Sequence, residues 1–342
     1  MRATDRELAK IVERQTRNLT VALRRAYMRA IKQLAAEIGE SATLQAVQTL
    51  NVNAIATDAM IERAFLNIRV ELRRGVESTM RESFADMQIE GRARELNAIK
   101  QAARRVGDVG GIRFDTLNPR LNEAVKTLSD TILPRFKQEI RETIREHIAQ
   151  AVTNGDSLRK VVPQLREIIG LAPSHVTHVD NFRKRLETIH TQRSYPKALT
   201  YGLRDRRYDN TLWNAMQQRT PLSREQISTM TKAYRDKYKT WHANTIARTA
   251  AVHAQREGQK ASILSAVDSG LMPADRMRKR WVSVLDDRVR DEHKAMNGET
   301  VALGAKFSNG LDVPSEYNCR CFIAYELQPV VNVERPARAG AA

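Results

Sequence analysis

Aromatic residues are scarce in this 342-residue chain, at 5%, and only 15 glycines punctuate it, so sheets and tight turns cannot be its main building material. No uninterrupted apolar run approaches about 18 residues, which argues against a membrane span. The first ten residues are polar and offer no apolar core for a signal peptide, so the chain is expected to be soluble and made in the cytosol. Cysteine is limited to Cys319 and Cys321. They stand too close together for an unstrained disulfide and read as a motif rather than a staple.

What the chain has in excess is positive charge. Lys and Arg number 57 against 40 Asp and Glu, a formal charge of +17. Such a surface attracts polyanions through counterion release, so nucleic acid is the first partner to consider. The basic runs Arg183, Lys184, Arg185 and Arg278, Lys279, Arg280 are the candidate phosphate contacts. No aromatic ladder for stacking bases accompanies them, and no helix-turn-helix or finger signature is present, so contact with DNA is expected to be nonspecific.

Apolar residues recur at helical spacing along the first half. Leu19, Leu23, Tyr27, Ile31, Leu34 and Ile38 mark one amphipathic helix, with Thr4 and Glu7 at capping-box spacing ahead of it. Ile61, Phe65, Ile68, Leu72, Val76, Met80, Phe84 and Met87 predict a second over roughly 57 to 88. Leu121, Val125, Leu128, Ile132, Phe136, Ile140, Ile144 and Ile148 predict a third, kinked at Pro134. Ser157 can cap a shorter helix carrying Leu158, Val161, Val162, Leu165 and Ile168. Residues 173–208 show no clean period. Pro221 to Gln226 look like a loop and cap for a helix over about 223–238, with another through Trp241 to Gly258. After Pro273 the character changes: Trp281 to Leu285 and Cys321 to Leu327 read as strands. The fold class expected is mainly α, long N-terminal helices followed by a small C-terminal α+β domain. Segments are expected at 1–172 (helical, partner-facing), 173–240 (basic connector), 241–328 (the small domain) and 329–342 (a tail too apolar-poor to order itself).

The stretch that carries most information runs from Trp281 through Asp286, Arg288, Arg290, His293, Gly298, Phe307, Pro314 and Asn318 to Cys319, Arg320 and Cys321, preceded by Ala247, Arg248 and Thr249. It resembles the Mu F-like phage head morphogenesis family, whose pattern is a tryptophan strand, an Asp followed by Arg and His, a Gly, a Phe and a terminal Cys-Arg-Cys. The resemblance is strongest over about 245–326. Two departures stand out: Ala250 replaces a usual Glu, and Tyr317 stands where some members carry a His. The resemblance implies a minor head protein of the virion, at the portal vertex, supporting procapsid assembly, packaging or delivery. Its partners would be the portal protein, the major capsid or scaffolding protein, and phage DNA.

Physically, Asp286 and Arg290 could pair across a helical turn with His293 beside them, a salt-bridged knot that fixes a small domain around Trp281, Phe307 and Phe322. The sharper reading is zinc on His293, Cys319 and Cys321, with Asp286 or another residue fourth, since two thiolates and an imidazole suit that ion. The spacing is Cys-x-Cys rather than the usual Cys-x-x-Cys. The remaining histidines, including His175, His242 and His253, read as surface or capping residues. No second acidic cluster is available for metal-assisted phosphodiester cleavage, so the chain is expected not to be an enzyme. Two rivals remain: a metal-dependent DNA-processing enzyme using Asp286, Arg290 and His293, and a nonspecific nucleic-acid-binding protein outside the virion.

Overall fold

In the computed structural model, the described residues are 3–49, 51, 53, 55–86, 89–90, 93–108, 117–284, 286–287, 289–314, 316 and 319–329. Ten α-helices are present among them: α1 (Ala3–Glu37), α2 (Glu40–Thr49), α3 (Asp58–Asp86), α4 (Ala93–Asp108), α5 (Pro119–Asn154), α6 (Leu158–Ile168), α7 (Pro173–Glu187), α8 (Asp209–Gln217), α9 (Arg224–Asp268) and α10 (Asp291–Ala295). Four strands, β1 (Ile89–Glu90), β2 (Met277–Val282), β3 (Thr300–Ala302) and β4 (Phe322–Leu327), form one sheet in the order β1-β4-β2-β3. The protein is mainly α with a small C-terminal α+β region, as the sequence led one to expect. Met87, residues 109–111 of the glycine break, Leu285, Arg288, Tyr317, Asn318 and the tail from Val330 lie outside the described residues.

Packing divides the chain into two compact units that are interleaved in sequence, unlike the consecutive segments expected. One comprises residues 1–18, 73–128 and 251–342; the other comprises 19–72 and 129–250. The chain passes between them within α1, α3, α5 and α9.

In the second unit the apolar stripes meet. Leu23, Tyr27, Ile31, Leu34 and Ile38 from α1 and its end are buried, as are Ile61, Phe65, Ile68 and Leu72 of α3 and Ile132, Phe136, Ile140, Ile144 and Ile148 of α5. Tyr27 stacks on Phe65 at 6.3 Å between ring centroids and meets Phe136 edge-on at 5.6 Å, arrangements that favour the ring quadrupoles. The end of α1 is closed from α6: Arg166 donates from Nη2 (2.7 Å) and Nε (3.1 Å) to the Ile38 carbonyl, satisfying an acceptor that has no intrahelical partner. Gly170 sits at φ +89, and a Cβ there would come within 2.7 Å of Ile31, so this turn admits no side chain.

Several local expectations need correcting. The first helix begins at Ala3, so Thr4 lies inside it and not ahead of it. Ser157 occupies the N-cap position of α6 but makes no side-chain cap bond. The helices expected over 223–238 and 241–258 are one uninterrupted α9, whose start does carry the predicted cap: Gln226 N donates to Ser223 Oγ (3.1 Å) and Ser223 N to Gln226 Oε1 (2.8 Å). β2 runs Met277–Val282, earlier than the Trp281 to Leu285 stretch expected. His242 and His253 are buried rather than surface residues, and His242 pairs with Glu139.

Candidate functional site

The first unit holds the sheet and the motif. β2 runs antiparallel to both β3 and β4, with Trp281 opposite Ile323 and Val282 opposite Phe322. Side chains alternate across a strand. Met277, Trp281, Ile323, Tyr325 and Leu327 therefore share one core with Phe84, Ile263 and Phe307, whereas Val282, Phe322 and Ala324 pack with Leu8 of α1 on the opposite face. Phe322 thus does not join Trp281 and Phe307, because it is one residue out of phase. Trp281 is fully buried and meets Phe307 edge-on at 5.3 Å.

Burial of both sheet faces explains the fate of the basic run in β2. Lys279 is 2% exposed; its Nζ donates to the Asp312 carbonyl oxygen at 3.0 Å, pairs with the Asp312 carboxylate and lies 5.2 Å from the Phe307 ring centre. Arg280 is 4% exposed and pairs with Asp5 of α1 (2.9 Å) and with Glu326 of β4. Both are committed to internal carboxylates, which removes them from the expected phosphate contacts. Arg278 is half-buried and donates to the Asp275 carbonyl at 2.9 Å. In the second unit, Arg183, Lys184 and Arg185 are exposed on α7, with Arg183 donating to Glu187 at 2.9 Å. Around Asp312, burial works to raise its pKa, but hydrogen bonds from Lys260 and Lys279 outweigh that and hold the carboxyl below its ordinary range.

The turn after β2 returns through α10, and this places the histidine. Gly298 N donates to Trp281 O at 2.8 Å and Trp281 N to Glu299 O at 2.8 Å. Gly298 has φ +93, a left-handed conformation that favours glycine. Ser283 Oγ donates to the His293 carbonyl at 2.6 Å, and Ser283 N to Asn297 Oδ1 at 2.9 Å. His293, 2% exposed, is thereby held with Nδ1 3.5 Å from Cys319 Sγ and 3.6 Å from Cys321 Sγ. Both thiols are free and buried. His293 Nε2 lies 3.3 Å from Glu316 Oε2, close enough to pair though not aligned as a hydrogen bond. Glu316 in turn takes Arg290 at 2.9 Å.

The expected pairing of Asp286 with Arg290 across a helical turn does not form. Asp286, Asp287, Val289 and Arg290 are not helical, since α10 begins at Asp291, and Asp286 pairs with Arg320 between the two cysteines instead. Among the described residues, His293, Cys319 and Cys321 bring their ligand atoms within 4.8 Å of one another. Asp286 does not belong to the group whose ligand atoms gather there.

Arg256 completes the site, and sequence reasoning missed it. It projects from α9, is fully buried, and donates to the carbonyls of Pro314, Cys319 (3.1 Å) and Cys321. One planar fork thus holds the cysteine strand entry by its backbone. Burial pushes the guanidinium pKa down, countered by the neighbouring thiols. The Cys319 thiol is held down to about 5, chiefly by a hydrogen bond from the Cys321 thiol, with Arg256 and His293 also favouring the thiolate against burial. The same bond, with burial, pushes Cys321 up. The pair gives up one proton readily and the second with difficulty.

Residues 222–324 match the family described as Phage Mu protein F like protein. This bears out the resemblance carried by the tryptophan strand and the Cys-Arg-Cys ending. The Mu F-like region takes in α9, β2, α10, β3 and β4 as far as Ala324, and so contains Arg256, His293 and both cysteines. Arg248, exposed, and Thr249, whose Oγ1 donates to Thr245 O at 2.9 Å, lie on α9 within the second compact unit. No curated protein and no solved structure matches the chain.

Proposed function

We propose that this chain acts in phage head morphogenesis as a minor head protein of the virion, bound at the portal vertex and supporting procapsid assembly, packaging or delivery of DNA. The observation that carries the reading is the Mu F-like match over residues 222–324. The geometry around the motif supports a binding and scaffolding role. Its two most buried arginines are turned inward, Arg256 on backbone carbonyls and Arg280 on Asp5 and Glu326, which fixes a conformation. No helix among the described residues is long and apolar enough to cross a membrane.

Net charge of +17 supports nonspecific phosphate contact once the chain stands beside packaged DNA. Arg183, Lys184 and Arg185 are the exposed candidates that remain. The test is co-sedimentation of the purified chain with its portal protein from low to high salt. Association that survives high salt supports portal binding. No association, with DNA binding that collapses as salt rises, favours a free nucleic-acid-binding protein. Cleavage of plasmid DNA that disappears in His293→Ala would favour the enzymatic rival.

A further inference from the structure

We infer that His293, Cys319 and Cys321 form a zinc site that locks the turn bearing α10 to the entry of β4, a property separate from the head role. One ring nitrogen of His293 stands at near-equal distance from two sulfurs. A tetrahedral zinc with Zn–S of about 2.3 Å and Zn–N of about 2.0 Å sets each N···S edge at about 3.5 Å. The observed edges are 3.5 and 3.6 Å. A single ring nitrogen has one lone pair or one proton, and can make a well-aligned hydrogen bond to only one of two thiols. Near-equal approach to both is what a shared ion at the common vertex requires.

The surroundings fit the same reading. The Glu316 carboxylate 3.3 Å from Nε2 favours, by its charge, the tautomer whose proton sits there, which leaves the Nδ1 lone pair directed toward the sulfurs. Backbone around both cysteines is held by Arg256, and the His293 backbone by the Ser283 bond to its carbonyl, which helps to position the donors without the ion. All three ligand residues are buried, and two soft sulfurs with one imidazole select zinc over magnesium or calcium. Three protein ligands leave the fourth position open to water. A competing triple, Glu292, His293 and Glu316, uses Nε2 and includes an exposed carboxylate; its hard oxygens would suit other ions.

The experiment is metal analysis of the purified full chain after exhaustive dialysis, together with the absorption spectrum after replacement by Co(II). About one zinc per chain is expected, with cobalt giving tetrahedral d–d bands and a thiolate charge-transfer band. Cys319→Ser with Cys321→Ser should abolish retention, Glu316→Gln should weaken it by about tenfold or more, and Glu292→Gln should leave it unchanged. The cobalt spectrum of the unaltered chain carries the test even if the serine variant misfolds. Zinc absent after reconstitution, cobalt bands without thiolate charge transfer, metal retained by a folded double-serine variant, or metal lost in Glu292→Gln would each overturn the assignment.

Discussion

Replacing Arg256 by Met keeps the stem and removes the fork. Three buried carbonyls, those of Pro314, Cys319 and Cys321, then lose their charged donor. An unsatisfied buried acceptor costs about 1–3 kcal/mol, so three would set an upper figure of about 3–9 kcal/mol. Two effects reduce it: a guanidinium no longer has to be desolvated, and the freed strand entry can relax toward water. Removing one member of a buried charged network typically costs about 3–5 kcal/mol, and that is the value expected here. Hydrogen exchange is the suitable assay because it resolves the region concerned: amides of β4 should lose protection by about that amount, whereas amides of α7 and α8 should not change. Arg256→Lys keeps the charge but cannot span three carbonyls, and should recover less than half of the loss. A Met variant whose β4 protection lies within about 0.5 kcal/mol of the parent would refute the reasoning, since that is the range of an ordinary surface substitution.

Further consequences follow from the same packing. Gly258→Ala would place a Cβ 2.7 Å from Val76 O and 2.8 Å from Thr79 Cβ, where α9 meets α3 within the first unit; a loss of about 1–3 kcal/mol in denaturant unfolding is expected. Asp5→Ala takes one of its carboxylate partners from buried Arg280, which keeps its pairing with Glu326, and should cost about 2–4 kcal/mol, measured the same way. His175 is held down to about 4, first by burial and then by neighbouring His242. Its unfolded form takes up a proton that the folded form refuses, so stability should decline as pH falls from about 6.5 to about 4, and His175→Gln should flatten that part of the profile.

The helical stripes were legible because burial of one face repeats every three or four residues, and the residues in those stripes from Leu23 to Ile148 are almost all buried where described. α2 was not, being short and built from Thr, Gln and Ala with little apolar contrast. The continuity of α9 was hidden for a related reason: much of its buried face is Ala243, Ala247, Ala250, Ala254 and Ala261, small residues that let helices approach closely but carry a weak hydrophobic signal. In the site, the family motif marked His293 and the cysteines. It could not mark Arg256, whose partners are backbone carbonyls with no signature in sequence. Nor could it show that Lys279 and Arg280 turn inward. A basic run ordinarily reads as a solvated face, and only a strand buried on both sides, with Asp312 and Asp5 brought from 33 and 275 residues away, reverses that reading.

The central claim is that the chain is built into the phage head, and quantitative mass spectrometry of purified heads from the encoding phage tests it most directly. The account predicts the chain in those particles, at a few copies against the major capsid protein, and retained after nuclease and high-salt washing. Its absence from heads while abundant in the same infected-cell lysate would contradict the account.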